Sequence, residues 1–258
     1  MIRATYINHM GDDLTVVNAA RVSFGKKKEA LGYTGADDGT MRPILHDNDI
    51  KLINYLAKHE HMSPFGHCFA SFHVKAPIFV ARQLVKHKFL RWNEISRRYV
   101  DDDPEFYVPK DWRGKALDKK QGSSGVVDVD YDALPSFEYH AMECYKDLLY
   151  LGVAPEQARM VLPQSTMTEW YWSGSLDAFA DMCNLRLASD TQEETRQVAQ
   201  QISVKMSNLF PVSWAALVKH QPVNKEIRPM TDKERSRATE RKELNQAWYD
   251  GDGSELFS

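Results

Sequence analysis

The sequence predicts a mixed α/β (α+β) protein, with a single domain over residues 1–219 and a charged tail over 220–258. Three observations carry this expectation. Segments with helical spacing and segments with alternating polarity interleave along the chain, without an internal repeat. Gly and Pro residues punctuate the boundaries between them. Of the 258 residues, 43% are hydrophobic, enough for a sizeable core.

The elements follow in order. Residues 3–8 fit a short first strand. LTVVNAARVSF (14–24) reads as a helix with Asp13 as N-cap. Residues 25–43 are polar and Gly-rich, the composition of a loop. Residues 44–61 place apolar side chains at 50, 52, 53 and 56, a helical spacing. HMSPFGH (61–67) is a turn, because Pro64 disfavours helix at Ser63. CFASFHVKA (68–76) alternates as a strand does, and Pro77 opens a helix continuing to Lys88. On it Arg82 and Lys86 are four apart, as are Gln83 and His87. From Asn93 to Tyr99 the period becomes two, which puts Glu94, Ser96 and Arg98 on one face of an extended segment. Residues 110–132 read as an exposed insertion. Residues 134–152 form a helix stopped at Gly152, followed by a short helix over 155–162. STMTEWYWS (165–173) is a strand, and Ser175 caps a helix over 175–189. A long helix opened by Asp190 extends to 210.

The formal charge of −3 argues against a general nucleic-acid or membrane-surface binder. Cys68, Cys144 and Cys183 form no CxxC pair, so neither a disulfide framework nor a zinc site is expected. Cys144, mid-helix, reads as core packing and Cys68 as structural. Cys183 lies one helical turn from Arg186 and could approach a site, although apolar neighbours would raise its pKa. The spacings of His61, His67, His73 and His87 fit no compact metal pattern. Trp170-Tyr171-Trp172 reads as core or interface. The amino terminus lacks a signal-peptide core, and no apolar run approaches the roughly 18 residues of a membrane span. A reduced, cytoplasmic, soluble protein is expected.

KHKFLRWNEISRRY (86–99) holds five Lys/Arg and one carboxylate, a charge of +4 that leaves −7 for the remainder. A solvated charged face is the plain reading. Phe89, Leu90, Trp92 and Ile95, interleaved with the cations, would instead anchor the segment against the core. Cations held together repel unless an anion sits among them, and phosphate is the natural one. Glu94 and Asn93 could then meet the polar edge of a ring. A nucleotide suits this set better than a nucleic-acid groove, since the acidic remainder repels a long polyanion.

Lys86-His87-Lys88, seven residues, then Ser96 resembles the Arg-His-Arg, seven residues, Ser motif of flavin-dependent thymidylate synthases. The resemblance extends through Asn93-Glu94, Arg98 and Tyr99, back through PFGH, FHVKAPIFVARQ (72–83) and AARVSF (19–24), and on to ARMVLP (158–163) and CNLR (183–186). It covers about residues 14–215, with several motifs in the right order. It implies a thymidylate-synthase-complementing type fold: a central, mainly antiparallel sheet flanked by long helices. It also implies reductive methylation of deoxyuridylate (dUMP) to deoxythymidylate (dTMP). Methylenetetrahydrofolate gives the carbon, FAD reduced by NADPH gives the hydride, and a homotetramer shares its active sites between chains. No nucleic-acid or membrane partner is implied.

Carried over by position, His61 and Ser63 would lie by the flavin, and Lys86, His87 and Lys88 would contact FAD. Glu94 would stand between flavin and nucleotide. Gln83, Ser96, Arg98 and Arg159 would hold dUMP. Arg186 would face the pyrimidine and stabilise charge developing on it, a strong form of catalysis. His61 joins Arg186 in the catalytic set, and Arg97, where the family often has a small residue, joins the substrate set without a specific role. Two departures stand out. Lys86 and Lys88 replace arginines, which keeps the charge but loses the two-pronged donor. Ser175-Leu176-Asp177 and Asp181 replace the Asn-x-Arg and later Asn near the adenine end of FAD, so Ser175 and Asp181 would meet that end differently. The alternative is a nucleotide- or nucleic-acid-binding protein that uses residues 82–98 without flavin chemistry.

Overall fold

A computed structural model of the chain describes residues 1–35, 39–99, 102–116, 122–129 and 137–219. Arg3–Met10 (β1) leads to Asp13–Arg21 (α1). The cap of α1 is Asp12 rather than Asp13. The Asp12 carboxylate accepts from Thr15 N at 2.8 Å, and Thr15 Oγ1 accepts from Asp12 N at 3.2 Å. Asp13 is buried and caps a different helix, Pro211–Leu217 (α8), accepting from the N–H groups of Val212 and Ser213 at 2.9 Å each. Burial raises its carboxyl above the usual carboxylate range.

The expected loop over 25–43 holds an antiparallel hairpin, Gly32–Gly35 (β2) with Met41–Ile44 (β3). Strands of four residues give too little period to read. Asp47–Lys58 (α2) and a 3-10 turn over Ser63–His67 precede Phe69–Pro77 (β4). Ile78–Leu84 (α3) stops before Lys86, and the chain turns with His87 N donating to Leu84 O at 3.1 Å. Arg91–Glu94 (β5) ends sooner than the alternation suggests. Past Ile95 N, which donates to Glu169 O at 2.9 Å, residues 97–99 form a turn closed by Tyr99 N on Ser96 O.

Trp112–Lys115 (β6) and Ser123–Val127 (β7) pair inside the segment read as an exposed insertion. Phe137–Tyr150 (α4) ends at Gly152, whose φ of +82° suits glycine. Cys144 is exposed on α4 rather than in the core; its neighbour Tyr145 is the helix's buried side chain, and the next residue points about 100° away around a helix. Pro155–Ala158 (α5) continues as a 3-10 turn over Arg159–Val161. Met167–Ser175 (β8) runs into Leu176–Arg186 (α6), with Ser175 at the N-cap position but making no side-chain capping bond. Glu193–Leu209 (α7) begins after Gln192, not Asp190. The tail read over 220–258 lies outside the described residues.

The described residues fall in two compact units, one of those up to Tyr107 and from Phe137 on, the other of 108–129. The first is built on a four-stranded antiparallel sheet, β1-β4-β8-β5. Alternation along β4 and β8 decides its inner face: Phe72 pairs with Trp172 and Val74 with Trp170, and all four are buried in the core with Phe179 of α6. Each such large apolar side chain contributes roughly 2–3 kcal/mol on burial. Tyr171, between the two buried tryptophans, is on the opposite face and 53% exposed. Among the described residues no helix is long and apolar enough to cross a membrane.

Candidate functional site

Three elements converge where α3 and α6 end. Arg186, the last residue of α6, donates from Nε to His87 Nε2 at 2.9 Å and from Nη2 to Gln83 O at 2.9 Å. That carbonyl belongs to the last turn of α3, where carbonyls lack helical partners and a cation is favourable. Because His87 Nε2 accepts, its proton sits on Nδ1 and the ring is neutral. Burial, and then the Arg186 charge, push the His87 pKa down to about 4. Burial also lowers the Arg186 pKa from its high ordinary value. The Gln83 amide is held from both ends: Thr195 Oγ1 donates to its Oε1 at 3.1 Å and its Nε2 donates to Gln192 Oε1 at 2.6 Å.

Around His87 the loop is open. Lys86 and Lys88 are exposed, and among the described residues neither makes an ion pair. Phe89 is 83% exposed and has a left-handed φ of +66°. Leu90, by contrast, is buried and presses on β8 at Gly174, where an added Cβ would lie 2.4 Å from Leu90 Cδ2. Leu90 and half-buried Trp92 therefore anchor the basic segment, whereas Phe89 and Ile95 do not. Free ammonium groups beside an uncovered aromatic ring fit a ligand that carries phosphates and a flat ring system, as FAD does.

A cavity of about 110 Å³ opens between β5, β8 and the turn after α5, with Glu94, Arg97, Arg159, Thr168, Ile78 and Met167 in its wall. Glu94 accepts from Thr168 Oγ1 at 2.6 Å and from Trp92 Nε1 at 3.1 Å. Arg159 is steadied by its Nε on Glu156 O at 3.2 Å, and Arg97 by its Nη1 on Asp102 O at 2.9 Å. Of the two neighbouring arginines, Arg97 lines the cavity; the Arg98 guanidinium sits 5.1 Å from the centre of the Tyr99 ring. Ser96 Oγ accepts from Arg98 N at 3.4 Å.

The remaining expected residues lie elsewhere in the first unit. His61 is exposed, its ring 6.1 Å from that of Tyr55 and 6.4 Å from that of His59. Ser63 opens the 3-10 turn that packs against α6. Ser175 and Asp181 belong to the start and middle of α6; burial, and then the charge of Asp177, raise the Asp181 pKa. Two carboxylates side by side at this place would repel a phosphate. None of these four has a described hydrogen bond or ion pair with Arg186, His87 or Glu94.

Cys183, one turn before Arg186, is wholly buried with a raised pKa, and its Sγ donates to Ala199 O at 3.6 Å. Cys68 is buried too, its pKa pushed up to about 12. Both are poor nucleophiles. No group of three His, Cys, Asp or Glu among the described residues is placed to hold a metal ion. Sequence reading missed Thr168, Gln192 and Thr195. Each meets its partner from 74 to 112 residues away, and a threonine in a strand or helix carries no local signal.

Three comparisons bear on this site. The family model for the thymidylate synthase complementing protein, Thy1, matches residues 5–212. The chain is 42% identical over 217 residues to the flavin-dependent thymidylate synthase of Thermus thermophilus, covering 83% of this chain and 74% of that one. It is 38% identical over 218 residues to the enzyme of that name from Thermosipho africanus, covering 83% and 89%. Among solved structures it resembles the UMP/dUMP methylase PolB from Streptomyces cacaoi bound with 5-Br dUMP: TM-score 0.70, 32% identity, 87% of this chain and 98% of that one.

Proposed function

The chain belongs to the thymidylate synthase complementing family, and from that premise we propose that it converts dUMP to dTMP as a flavin-dependent thymidylate synthase. The overall balance is dUMP, methylenetetrahydrofolate, NADPH and a proton giving dTMP, tetrahydrofolate and NADP⁺. FAD, when bound, supplies the hydride.

The observation that carries this reading is the Arg186 guanidinium fixed between His87 and Gln83. It is a preorganised cation in a partly buried place, suited to stabilise negative charge as the pyrimidine carbon becomes nucleophilic. Lys86 and Lys88 attract the flavin's phosphates, and neutral His87 offers a ring edge without adding charge. Arg159 and Arg97 take the nucleotide phosphate, with Ser96 and Arg98 flanking them. Gln83 and Glu94 hold the nucleotide's polar edges. His61 and Ser63 lie toward the flavin, with Ser175 and Asp181 near its adenine end.

A cavity of about 110 Å³ is smaller than the roughly 300 Å³ at which small-molecule pockets begin. Exposed Phe89, Ile95 and Tyr99 border the same segment. Both features suit a homotetramer in which a second chain completes each site, working in the cytoplasm where the three cysteines stay as free thiols.

The purified protein tests the reading. It should be yellow or take up FAD, bleach on addition of NADPH, and form dTMP from dUMP and methylenetetrahydrofolate. Protein that cannot be loaded with FAD, or that binds dUMP without turnover, overturns it and leaves a nucleotide-binding role.

A further inference from the structure

We propose that Thr168 and Trp92 are positioning residues that fix the Glu94 carboxylate in the cavity wall, so that it accepts a hydrogen bond from the bound nucleotide. The inference rests on the reading of this cavity as the dUMP site and adds the two residues that set its acceptor.

Glu94 sits on β5, the edge strand of the sheet, and is exposed. A glutamate in that setting would sample many rotamers and lose them on binding. Here both carboxylate oxygens are already engaged. Thr168 Oγ1 donates to Oε1 at 2.6 Å and Trp92 Nε1 to Oε2 at 3.1 Å. Each oxygen keeps further lone-pair capacity for a ligand.

The two donors are themselves held by the packing around them. Thr168 is 6% exposed, β-branched and set in the β4–β8 ladder opposite Ala76. Trp92 and Glu94 are two apart on β5 and so share a face. The Trp92 ring stacks on Trp170 at 4.3 Å and 19°, and meets Trp172 edge-on at 5.8 Å and 78°. Trp170 and Trp172 are each 1% exposed, so the indole N–H is aimed by the core itself. Thr168, Trp170 and Trp172 line one face of β8, and the strand register sets Trp92 and Glu94 across from the last two. Sheet geometry thus carries rigidity from the core to one carboxylate at the rim.

Calorimetric titration of dUMP into the FAD-loaded enzyme tests this, with Thr168→Val, Thr168→Ser, Trp92→Phe, Glu94→Ala and the Glu94→Ala/Thr168→Val pair. Thr168→Val, which keeps shape and removes the hydroxyl, should weaken dUMP binding about tenfold, and Trp92→Phe several-fold. Thr168→Ser should restore it. In the Glu94→Ala background Thr168→Val should change affinity less than about twofold, since both act through one carboxylate. Glu94→Ala without effect on dUMP overturns the reading of the cavity. A Glu94→Ala loss with wild-type affinity in both Thr168→Val and Trp92→Phe overturns only the positioning role. So does a Thr168→Val loss that persists undiminished in the Glu94→Ala background, which marks a packing defect. Should Thr168→Val fail to fold, Trp92→Phe and its pair with Glu94→Ala decide on the same criteria.

Discussion

Arg186 Nε donates to His87 Nε2 at 2.9 Å, joining residues 99 apart in the chain. The contact changes what the basic stretch means. Its histidine is no added cation but a neutral acceptor, which lets a guanidinium approach it without repulsion. The same guanidinium satisfies the Gln83 carbonyl at the end of α3. One side chain thereby links the loop between α3 and β5 to the end of α6, while buried Leu90 seats the same loop on β8.

The pH dependence of stability should report this neutral ring. The His87 pKa falls from its ordinary 6.5 to about 4 in the folded chain. Between these values the unfolded chain binds a proton that the folded chain refuses. Stability therefore rises with pH across that window and is flat in this contribution above it. His87→Gln cannot take the proton and should lose that part of the slope. Urea midpoints of both proteins at about pH 4.5 and about pH 7 make the comparison. Parallel pH curves would show that the ring feels no such burial.

Arg186→Ala should lower kcat by about 10²–10³ while the protein keeps its flavin absorbance. Arg186→Lys should rescue little, because one ammonium cannot reproduce the paired Nε and Nη2 donors that reach His87 and Gln83. Steady-state kinetics alongside the visible spectrum separates lost turnover from lost flavin. Turnover within about twofold of wild type in Arg186→Ala removes it from the reaction.

Legibility followed periodicity. β4 and β8 were readable because nine residues each alternate around Phe72, Val74, Trp170 and Trp172, and α2 because Ile50, Ile53 and Leu56 keep helical spacing. The hairpin of β2 and β3 and the seven-residue α8 are too short to show a period. Asp13 reads as the cap of α1, and only the tertiary contact with Val212 and Ser213 assigns it to a different helix and leaves the cap of α1 to Asp12. At the site, the Lys86-His87-Lys88 motif and Arg186 were visible through family resemblance. Thr168 and Thr195 were not, since a hydroxyl's role is set by what the fold brings to it. Cys144 was misread because helix membership says nothing about which side faces the core.

Arg21, within the AARVSF segment, should prove structural. Its Nη2 donates to Asp49 Oδ1 at 2.6 Å, and the Asp49 side chain is 1% exposed. Arg21→Ala leaves that carboxylate buried without its cation and should cost about 3 kcal/mol in urea unfolding. The exposed pair of Lys146 and Asp103, at 3.0 Å with side chains 47% and 69% exposed, offers a control. Lys146→Ala should change stability by less than about 1 kcal/mol. Equal losses from the two substitutions would contradict the burial of Asp49.

Gly174→Ala should loosen the basic loop without touching any charged residue. At this position in β8 a new Cβ would stand 2.4 Å from Leu90 Cδ2 and 3.1 Å from Phe89 O. Leu90 is buried, so its methyl has little room to turn aside, and Phe89 O must give by a few tenths of an ångström, so the segment leading to Leu90 shifts off the sheet. Overpacking of this kind costs about 1–3 kcal/mol. Lys86, His87 and Lys88 ride on the displaced segment, so flavin retention should fall with it, read as the ratio of visible to ultraviolet absorbance after gel filtration. Leu90→Ala in the same chain removes the clashing methyl and should recover part of the flavin. Full flavin content in Gly174→Ala would show that the seating of this loop on β8 does not govern cofactor binding.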